Sequence, residues 1–418
     1  MNAIIKRTSQ RFFPAVLACV AISIVSLEAV HANQARHAGM VNNPMVEDDV
    51  DIVDFPGMLT AYSDMVFLNL MPPTTGIVPG PSSAGGDGNL GAFFGRRVAV
   101  GAWVHRTPRW RDLDDLENLF NFDASLPTTH DLVDLFLGTR VGFGMRISLS
   151  AGLDTDENRD PAGKLLSTGG STFVIDLAPG YSFDLDSYHG DFGVGLTFST
   201  FQLTENGQKT FKATPIPSFF LRHRSVIYPR AVLSGVVDVM LTRRAYAMKA
   251  QNSDENYEQS KHGTDMGRWV MSLVGGPKLN IPGNVTLHVG ARLTLEHLHG
   301  VIDGMNQPSL NALGVPGGVA SAEVILFDFL AIRAGAMYEV YWTTTVVPRT
   351  KDEVESGQTS AGEQSSGQRF NWSTGLGIMP GDFRIDATVS QNLYFDGPNF
   401  IGGREPGFLG ILSATYMW

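Results

Sequence analysis

The sequence ends with Phe408-Leu409-Gly410-Ile411-Leu412-Ser413-Ala414-Thr415-Tyr416-Met417-Trp418. Every second residue is small, apolar or aromatic (Gly410, Leu412, Ala414, Tyr416 and Trp418), whereas Ser413 and Thr415 occupy alternate positions. Successive side chains of a β-strand point to opposite faces of the sheet. The pattern therefore predicts a strand with one apolar and one polar face, whose final residue is aromatic.

Residues 1–32 have the three parts of a secretory signal peptide. A basic start contains three Lys and Arg residues between positions 6 and 11, an apolar run covers residues 12–27, and Val30-His31-Ala32 offers small residues at the positions a signal peptidase reads. We predict cleavage after Ala32. The only cysteine, Cys19, lies inside this segment. It is either discarded with the signal or lipidated, and its poor match to a lipidation motif favours the first.

The charge of the chain narrows the classes of partner. The sequence has 31 basic and 42 acidic residues, and removal of residues 1–32 leaves 28 and 41, a net charge of −13. Such a balance argues against nucleic acid as a partner. Residues 33–418 contain no run of eighteen apolar residues, so the sequence predicts no membrane-spanning helix there.

From Asp64 onward, short turns alternate with long polar connections. We predict tight turns at residues 95–97, 141–142, 184–186, 225–229, 280–284, 327–329 and 379–382, and long connections at residues 105–130, 154–170, 251–265, 297–318 and 348–368. This rhythm is typical of a transmembrane β-barrel with short periplasmic turns and long extracellular loops. It predicts an antiparallel up-and-down barrel of about 16 strands, or about 14 if one hairpin is absent.

The segments between these turns alternate with a period of two. Apolar residues at odd positions from Val285 to Leu295 face away from Thr286, His288, Arg292 and Glu296, and residues 332–342 and 383–390 alternate in the same way. Strands of about 10 residues are long enough for a tilted membrane crossing, whereas strands of soluble sandwiches average about 5–6.

The closing strand, the alternation and the turn rhythm together resemble bacterial outer-membrane β-barrel proteins of the porin-like kind. The resemblance implies a location in the outer membrane of a Gram-negative cell. It also implies contact with outer-membrane lipid and recognition by the barrel-insertion machinery, with Tyr416 and Trp418 as the insertion signal. The predicted parts are a signal peptide (1–32), a periplasmic or plug-like segment (33–61) and the barrel (62–418).

Assigning the polar positions of each strand to the barrel interior gives the candidate pore-lining residues. The basic candidates are Arg140, Arg146, Arg222, Arg224, Arg244, Arg268, Arg292, Arg333 and Arg384, and the acidic ones are Asp134, Asp176, Asp191, Asp238, Glu296, Glu323, Glu339 and Asp386. These charges can form an electrostatic filter in an open pore. Alternatively, they pair across neighbouring strands and stiffen the wall, which is the interpretation that we favour.

Two further segments have a predicted structural role. Residues 108–127 show helical spacing of Leu113, Leu116 and Phe120, which predicts a helix either at the rim or folded into the pore. Residues 33–61 contain Asn42-Asn43-Pro44, which resembles the start of the inserted hatch of long-chain fatty-acid transporter-like barrels, although Met45 stands where Ala is usual. If the segment plugs the barrel, the acidic residues between positions 47 and 54 would pair with the inward-facing arginines. These acidic residues lack the spacing of a calcium loop, and a solvated periplasmic segment is the alternative.

The sequence contains no arrangement typical of an enzyme. It has no phosphate-binding glycine loop, zinc-ligand spacing or dinucleotide fingerprint, and we expect no catalytic activity, metal or cofactor. The favoured function is a channel for passive passage of small polar or amphipathic solutes. The alternative is a non-conducting barrel that anchors an envelope or cell-surface assembly. The sequence does not determine the solute or the oligomeric state.

Overall fold

The computed structural model describes residues 34–70, 88–104, 131–159, 165–205, 208–214, 217–230, 232–250, 263–302, 305–306, 309–346, 362–389 and 409–418. The predicted signal peptide, with Cys19, and the predicted helix at residues 108–127 lie outside these ranges, as does most of the predicted connection at residues 251–265. None of the helices in the described ranges is long and apolar enough to span a bilayer.

Sixteen antiparallel strands form one closed sheet. Two of them, β8 and β12, each consist of two consecutive segments that occupy one place in the sheet. The strands are β1 (Met65–Leu70), β2 (Gly88–Phe94), β3 (Val98–Val104), β4 (Asp131–Thr139), β5 (Phe143–Arg159), β6 (Leu165–Leu185), β7 (Tyr188–Glu205), β8 (Gln208–Thr214 and Ser218–Arg230), β9 (Leu233–Ala250), β10 (Gly263–Ile281), β11 (Val285–Ile302), β12 (Met305–Asn306 and Ser309–Leu326), β13 (Leu330–Val346), β14 (Gly362–Ile378), β15 (Phe383–Val389) and β16 (Leu409–Met417).

The first and last strands close the barrel. Met65 of β1 lies opposite Met417 of β16, and the pairing continues to Leu70 and Leu412. The backbone N–H of Trp418 donates to the carbonyl of Asp64 at 3.1 Å, which extends the seam by one residue. The predicted closed barrel of sixteen strands is confirmed, and the short β1 is one of them.

The two faces of the wall differ as the alternation predicts. Val289 and Ile332 point outward with 44% and 42% of their surface exposed, whereas Ser413 and Thr415 are buried on the inner face. Exposed aromatic residues lie at the end with the tight turns, where the rings of Tyr416 and Trp418 stack at 5.9 Å. An apolar outer band edged by aromatic rings is the surface that a membrane barrel presents to lipid.

Several strands run further than the sequence predicted. The predicted turn at residues 225–229 is wrong, because β8 continues to Arg230. The predicted loop at 154–170 is largely a paired hairpin in which Asp154 lies opposite Gly170. Residues 297–302 likewise continue β11, and residues 305–306 and 309–318 belong to β12. Strand β14 begins at Gly362, inside the predicted loop at 348–368. A hairpin that has begun to pair can extend its ladder past the apolar band, where polar side chains meet water.

A bulge in β12 changes which residues face inward. The register shifts between Gly314 and Gly317, where one additional residue is inserted opposite β13. Leu313 points outward with 36% of its surface exposed, whereas Val319, after the bulge, is buried inside the barrel. An insertion of one residue reverses the parity of a strand, so the odd positions change face within β12.

Residues 34–62, here called the inner segment, precede β1 and pack against the inner face of the wall. The segment contains helix α1 (Gln34–Gly39) and two 3₁₀ helices, η1 (Asp49–Val53) and η2 (Pro56–Ala61). Helix α1 contacts β13 to β16, whereas η2 contacts β3 to β7. The segment therefore crosses the lumen from one side of the barrel to the other.

Candidate functional site

Two arginines of β8 hold one end of the inner segment. Arg222 Nη1 donates to Asp51 Oδ1 at 3.1 Å and to Asp54 Oδ2 at 2.9 Å. Arg224 Nη1 donates to the other oxygen of Asp51 at 2.6 Å. Asp51 therefore joins both guanidinium groups to η1. We call these four residues the β8 anchor.

Each arginine of the β8 anchor also pairs with a carboxylate of the wall. Arg222 Nε donates to Asp238 of β9 at 2.9 Å, and Arg224 donates to Asp191 of β7 from Nε at 3.1 Å and from Nη2 at 2.9 Å. Both guanidinium groups lie over the ring of Phe55, at 4.9 and 5.0 Å from its centroid. Wall and segment thus share the same two cations.

The environment of Asp51 keeps it ionised. Burial alone raises the pKa of a carboxyl group, but the charges of Arg224 and Arg222 outweigh burial here and lower the pKa of Asp51 below its usual range. The attachment therefore uses a carboxylate, and the hydrogen bonds that it accepts from the two guanidinium groups are charge-assisted.

A second cluster holds the beginning of the segment. Arg36 of α1 donates to both oxygens of Glu323 of β12, at 3.0 and 2.8 Å, and approaches Asp48 at 3.8 Å. Glu323 also accepts from Arg333 Nε at 2.6 Å, and Arg333 and Arg384 share Asp386. We call the contact between Arg36 and this group of wall residues the β12 anchor.

Serine hydroxyls of the wall accept hydrogen bonds from the segment between the anchors. Ser413 Oγ accepts from the backbone N–H of Ala35 at 3.1 Å, and Ser373 Oγ accepts from Val41 at 2.7 Å. In the described part of the chain, backbone-to-backbone hydrogen bonds of the inner segment stay within it. The segment is thus attached through side chains of the wall and adds no strand to the sheet.

Wall glycines let the segment lie directly on the sheet. A Cβ atom at Gly193 of β7 would overlap the carbonyl oxygen of Asp54, and one at Gly144 of β5 would overlap that of Pro56. Any other residue at these two positions would push η2 away from the wall. The inner surface is therefore shaped to fit this segment.

An apolar cluster supports the same end of the segment. It joins residues of η1 and η2 to inward-facing aromatic residues of β1 to β4, and its members are Ile52, Val53, Phe55, Met58, Leu59, Tyr62, Met65, Phe67, Phe93, Ala99, Trp103 and Phe136. The rings of Phe67 and Trp103 meet edge to face at 4.7 Å. This part of the interior is a packed core and not a polar pore lining.

Asp48 and Asp49 lie between the two anchors. Both are buried, and no described basic side chain lies within hydrogen-bond distance of their carboxylate oxygens, since Arg36 is 3.8 Å from Asp48. Burial raises the pKa of both groups, that of Asp49 well above its usual range, and the neighbouring Asp48 raises it further. Within the described ranges, no group of three or more His, Cys, Asp or Glu side chains is arranged to hold a metal ion.

Most of the predicted pore-lining residues are paired across neighbouring strands. Arg146 contacts Asp134 and Asp176, Arg268 contacts Glu296 at 2.6 Å, and Arg292 lies 3.8 Å from Glu339. The candidates in the two anchors are Arg222, Arg224, Glu323, Arg333, Arg384 and Asp386, and the candidates Asp191 and Asp238 pair with the arginines of the β8 anchor. The side chain of Arg244 lies outside the described part of the structure. The placement of Arg140 in the lumen is wrong, because it lies exposed in the turn after β4.

The structure places these residues without testing a pore-lining role, which stays a prediction. The same holds for the insertion signal: Tyr416 and Trp418 point outward, 45% and 48% exposed. Sequence reasoning did not single out Arg36 or Phe55 as contacts of the wall. It considered pairing with the wall arginines only for the acidic run as a whole, without distinguishing Asp51 and Asp54 from its other members. One local signal was the sequence Phe55-Pro56-Gly57. Pro56 restricts the backbone and Gly57 has no side chain, so the chain can lie close to the wall at this point.

Comparison with known proteins finds solved structures that are similar to this chain. No family model matches the sequence, and neither does any curated protein. The copper transporter OprC is 10% identical with a TM-score of 0.40, over 78% of this chain and 44% of its own length. CdiB from Escherichia coli is 12% identical with a TM-score of 0.39, over 85% of this chain and 63% of its own. The chain thus spans less than two thirds of both.

A third similar structure is a FadL homologue from Pseudomonas aeruginosa, which is 12% identical with a TM-score of 0.37 over 92% of this chain and 98% of its own length. The location of the protein follows from its own architecture. A closed barrel of sixteen strands, apolar on its outer face and edged by aromatic rings, is an integral protein of the bacterial outer membrane.

Proposed function

We propose that this protein is a channel for passive passage of small polar or amphipathic solutes, and that the inner segment controls whether its lumen is open. The observation that carries the proposal is the mode of attachment of the segment. It is held by the β8 anchor, the β12 anchor and serine hydroxyls, and its described backbone groups make no hydrogen bonds to the backbone of the sheet.

Displacement of the segment from the lumen would leave the ring of paired strands intact. The ladder between β1 and β16 does not include the segment. The wall arginines would keep partners, because Arg222 retains Asp238 and Arg224 retains Asp191. A barrel of about sixteen strands without its inner segment is wide enough for an aqueous passage. In this proposal the protein has no catalytic role.

The alternative function is a non-conducting barrel that anchors an envelope or surface assembly. One observation favours it: the segment crosses the lumen and its two anchors are buried, so the docked arrangement resists displacement. Breaking a buried ion pair by removing one partner typically costs about 3–5 kcal/mol. The two functions therefore differ in whether the segment leaves its site.

Single-channel recording in planar bilayers tests the proposal. We compare the protein beginning at Asn33 with a variant lacking residues 34–62 and with Asp51→Asn, which weakens the β8 anchor while keeping the side chain's shape. The matched control is Asp176→Asn, which removes a carboxylate that contacts Arg146 and Thr197 of the wall. Heat-modifiable migration in gels establishes that each variant forms a barrel.

We expect the deletion to give a large steady conductance and Asp51→Asn to open more often than the unaltered protein. The Asp176→Asn control should behave as the unaltered protein does. If the deletion variant does not fold, the comparison of Asp51→Asn with the Asp176→Asn control tests the proposal. Folded variants that conduct no current would contradict the channel and favour the anchoring function.

A further inference from the structure

A groove lies on the outer face of β9 to β13. It has a volume of about 460 Å³, within the range of about 300–1,000 Å³ typical of small-molecule sites. Its floor is one row of apolar side chains that lie opposite one another on five consecutive strands: Leu241, Met271, Leu295, Leu313 and Trp342. These side chains point outward, and Leu295 and Trp342 are 41% and 54% exposed.

A polar row borders the groove, two residues further along each strand. Its members are Arg243, Trp269, His297, Asn311 and Thr344, which also lie opposite one another in register. His297 Nδ1 donates to Asn311 Oδ1 at 2.8 Å, which leaves Nε2 of the imidazole for a ligand. The ring of His299 stacks on that of His297 at 5.5 Å.

The height of the two rows matches the border of the hydrocarbon layer. Met271 lies about ten residues from the tight turn at the end of β10. Ten residues that rise about 3.3 Å each on a strand tilted by about 40° reach a height of about 25 Å, which is the height of the apolar band of an outer-membrane barrel. The apolar row thus faces acyl chains, and the polar row faces lipid headgroups.

Arg243 supplies a cation at this border. Its guanidinium lies over the ring of Trp269, 5.3 Å from the centroid. Among the described residues it forms no ion pair, and its Nε, although buried, has no acceptor there. The arginines in the two anchors, by contrast, have carboxylate partners. The one acidic residue that lines the groove, Glu296, pairs with Arg268 at 2.6 Å. Arg243 therefore has no carboxylate partner among the residues that the structure describes, and such a cation is complementary to a phosphate group.

We propose that this groove binds one lipid with a net negative, phosphate-bearing headgroup from the leaflet at the long-loop end of the barrel. The phosphate lies against Arg243 and the imidazole of His297, and one acyl chain lies along the row from Leu241 to Trp342. The aromatic rings of Trp269 and Trp342 hold the region where headgroup and chain meet. The site lies on the outer face, so it does not depend on whether the lumen conducts.

Native mass spectrometry of the delipidated protein, beginning at Asn33, tests the proposal. The probes are diphosphorylated lipid A, zwitterionic phosphatidylethanolamine and inorganic phosphate. Arg243→Gln removes the cation, and its control is Arg369→Gln, because Arg369 also lies over a ring, that of Tyr341, but on the inner face opposite Glu339. Leu295→Trp fills the groove, and its control is Leu135→Trp, at a residue of β4 that also points outward, 49% exposed.

We expect one tightly retained lipid A molecule, about fivefold weaker retention in Arg243→Gln, and loss of retention in Leu295→Trp. Both controls should retain the lipid, and inorganic phosphate should not displace it. Three results would overturn the proposal: equal retention by Arg243→Gln and Arg369→Gln, equal retention of phosphatidylethanolamine and lipid A, or displacement by inorganic phosphate. Circular dichroism and heat-modifiable migration exclude misfolding, and Arg243→Gln keeps the test valid if the Trp variant fails to fold.

Discussion

Replacing Asp51 with Asn should release the inner segment locally while leaving the barrel folded. Asp51 accepts one charge-assisted hydrogen bond from Arg222 at 3.1 Å and one from Arg224 at 2.6 Å. A hydrogen bond to a charged group contributes about 1.5–3 kcal/mol, and the amide oxygen of Asn can keep one of the two. Both arginines retain wall carboxylates, so we expect docking to weaken by about 2–4 kcal/mol.

Hydrogen exchange read by mass spectrometry measures this change in detergent. The N–H of Phe55 donates to the carbonyl of Asp51 at 2.7 Å, and that of Met58 donates to Phe55 at 3.0 Å, so both amides exchange when the segment opens. A loss of 2–4 kcal/mol corresponds to exchange faster by about 30- to 900-fold. Amides of the wall strands should be unaffected. Unchanged protection of Phe55 and Met58, or equal acceleration in Asp176→Asn, would refute the reasoning.

Three further results are expected. Gly193→Ala should accelerate exchange in η2, because its Cβ would overlap the carbonyl oxygen of Asp54, whereas Gly235→Ala, which meets no atom within 4 Å, should not. Asp49→Asn should strengthen docking at neutral pH, because the raised pKa of Asp49 means that the docked state favours its protonated form. The stabilisation of docking by protonated Asp49 is present at low pH and is lost as the pH rises through that pKa. If exchange protection in Asp49→Asn depended on pH as it does in the unaltered protein, this expectation would be contradicted. Val289→Arg should lower the unfolding free energy by about 2–4 kcal/mol if it lies at the bilayer midplane, measured by urea titration in liposomes, with little change for a polar substitution at Thr286.

The architecture of the barrel was predictable because its physical causes are local. A strand that separates lipid from a polar interior must alternate, and the pattern in β11 or β16 is visible without knowledge of its neighbours. The seam between β1 and β16 also follows, since an unpaired edge is not tolerated in lipid. The parity of Arg222, Arg333 and Arg384 was assigned correctly for this reason.

The extent of the strands was less predictable. Residues 154–170 are polar and rich in Asp and Gly, which in isolation favours a loop, but pairing between the neighbouring strands keeps residues 154–159 and 165–170 extended. Pro229 similarly suggested a turn, although β8 continues to Arg230 before the chain reverses. A strand end depends on whether a partner is present as well as on its own sequence.

The attachment of the inner segment could not be read from the sequence because its contacts are distant. Asp51 and Arg224 are 173 residues apart, and Arg36 and Glu323 are 287 apart. No periodicity links such positions. The acidic run was visible, but its partners were known only as a set of inward-facing arginines. Which arginine receives which carboxylate depends on the curvature of the closed barrel.

The charged side chains of the wall can stiffen the barrel by pairing and also act as an electrostatic filter. Arg222 and Arg224 each hold one carboxylate of the wall and at least one of the inner segment, so docking changes the charge balance of the lumen at these two residues. With the segment docked, Asp51 and Asp54 add two negative charges to those of Asp238 and Asp191 around the two guanidinium groups. With the segment displaced, Asp238 and Asp191 hold the same guanidinium groups in place while their remaining donors face water. On the proposed channel, displacement therefore removes two negative charges from this level of the lumen, so anions should pass more readily in the open state than in the docked state. Arg222→Gln should reduce anion preference without closing the pore.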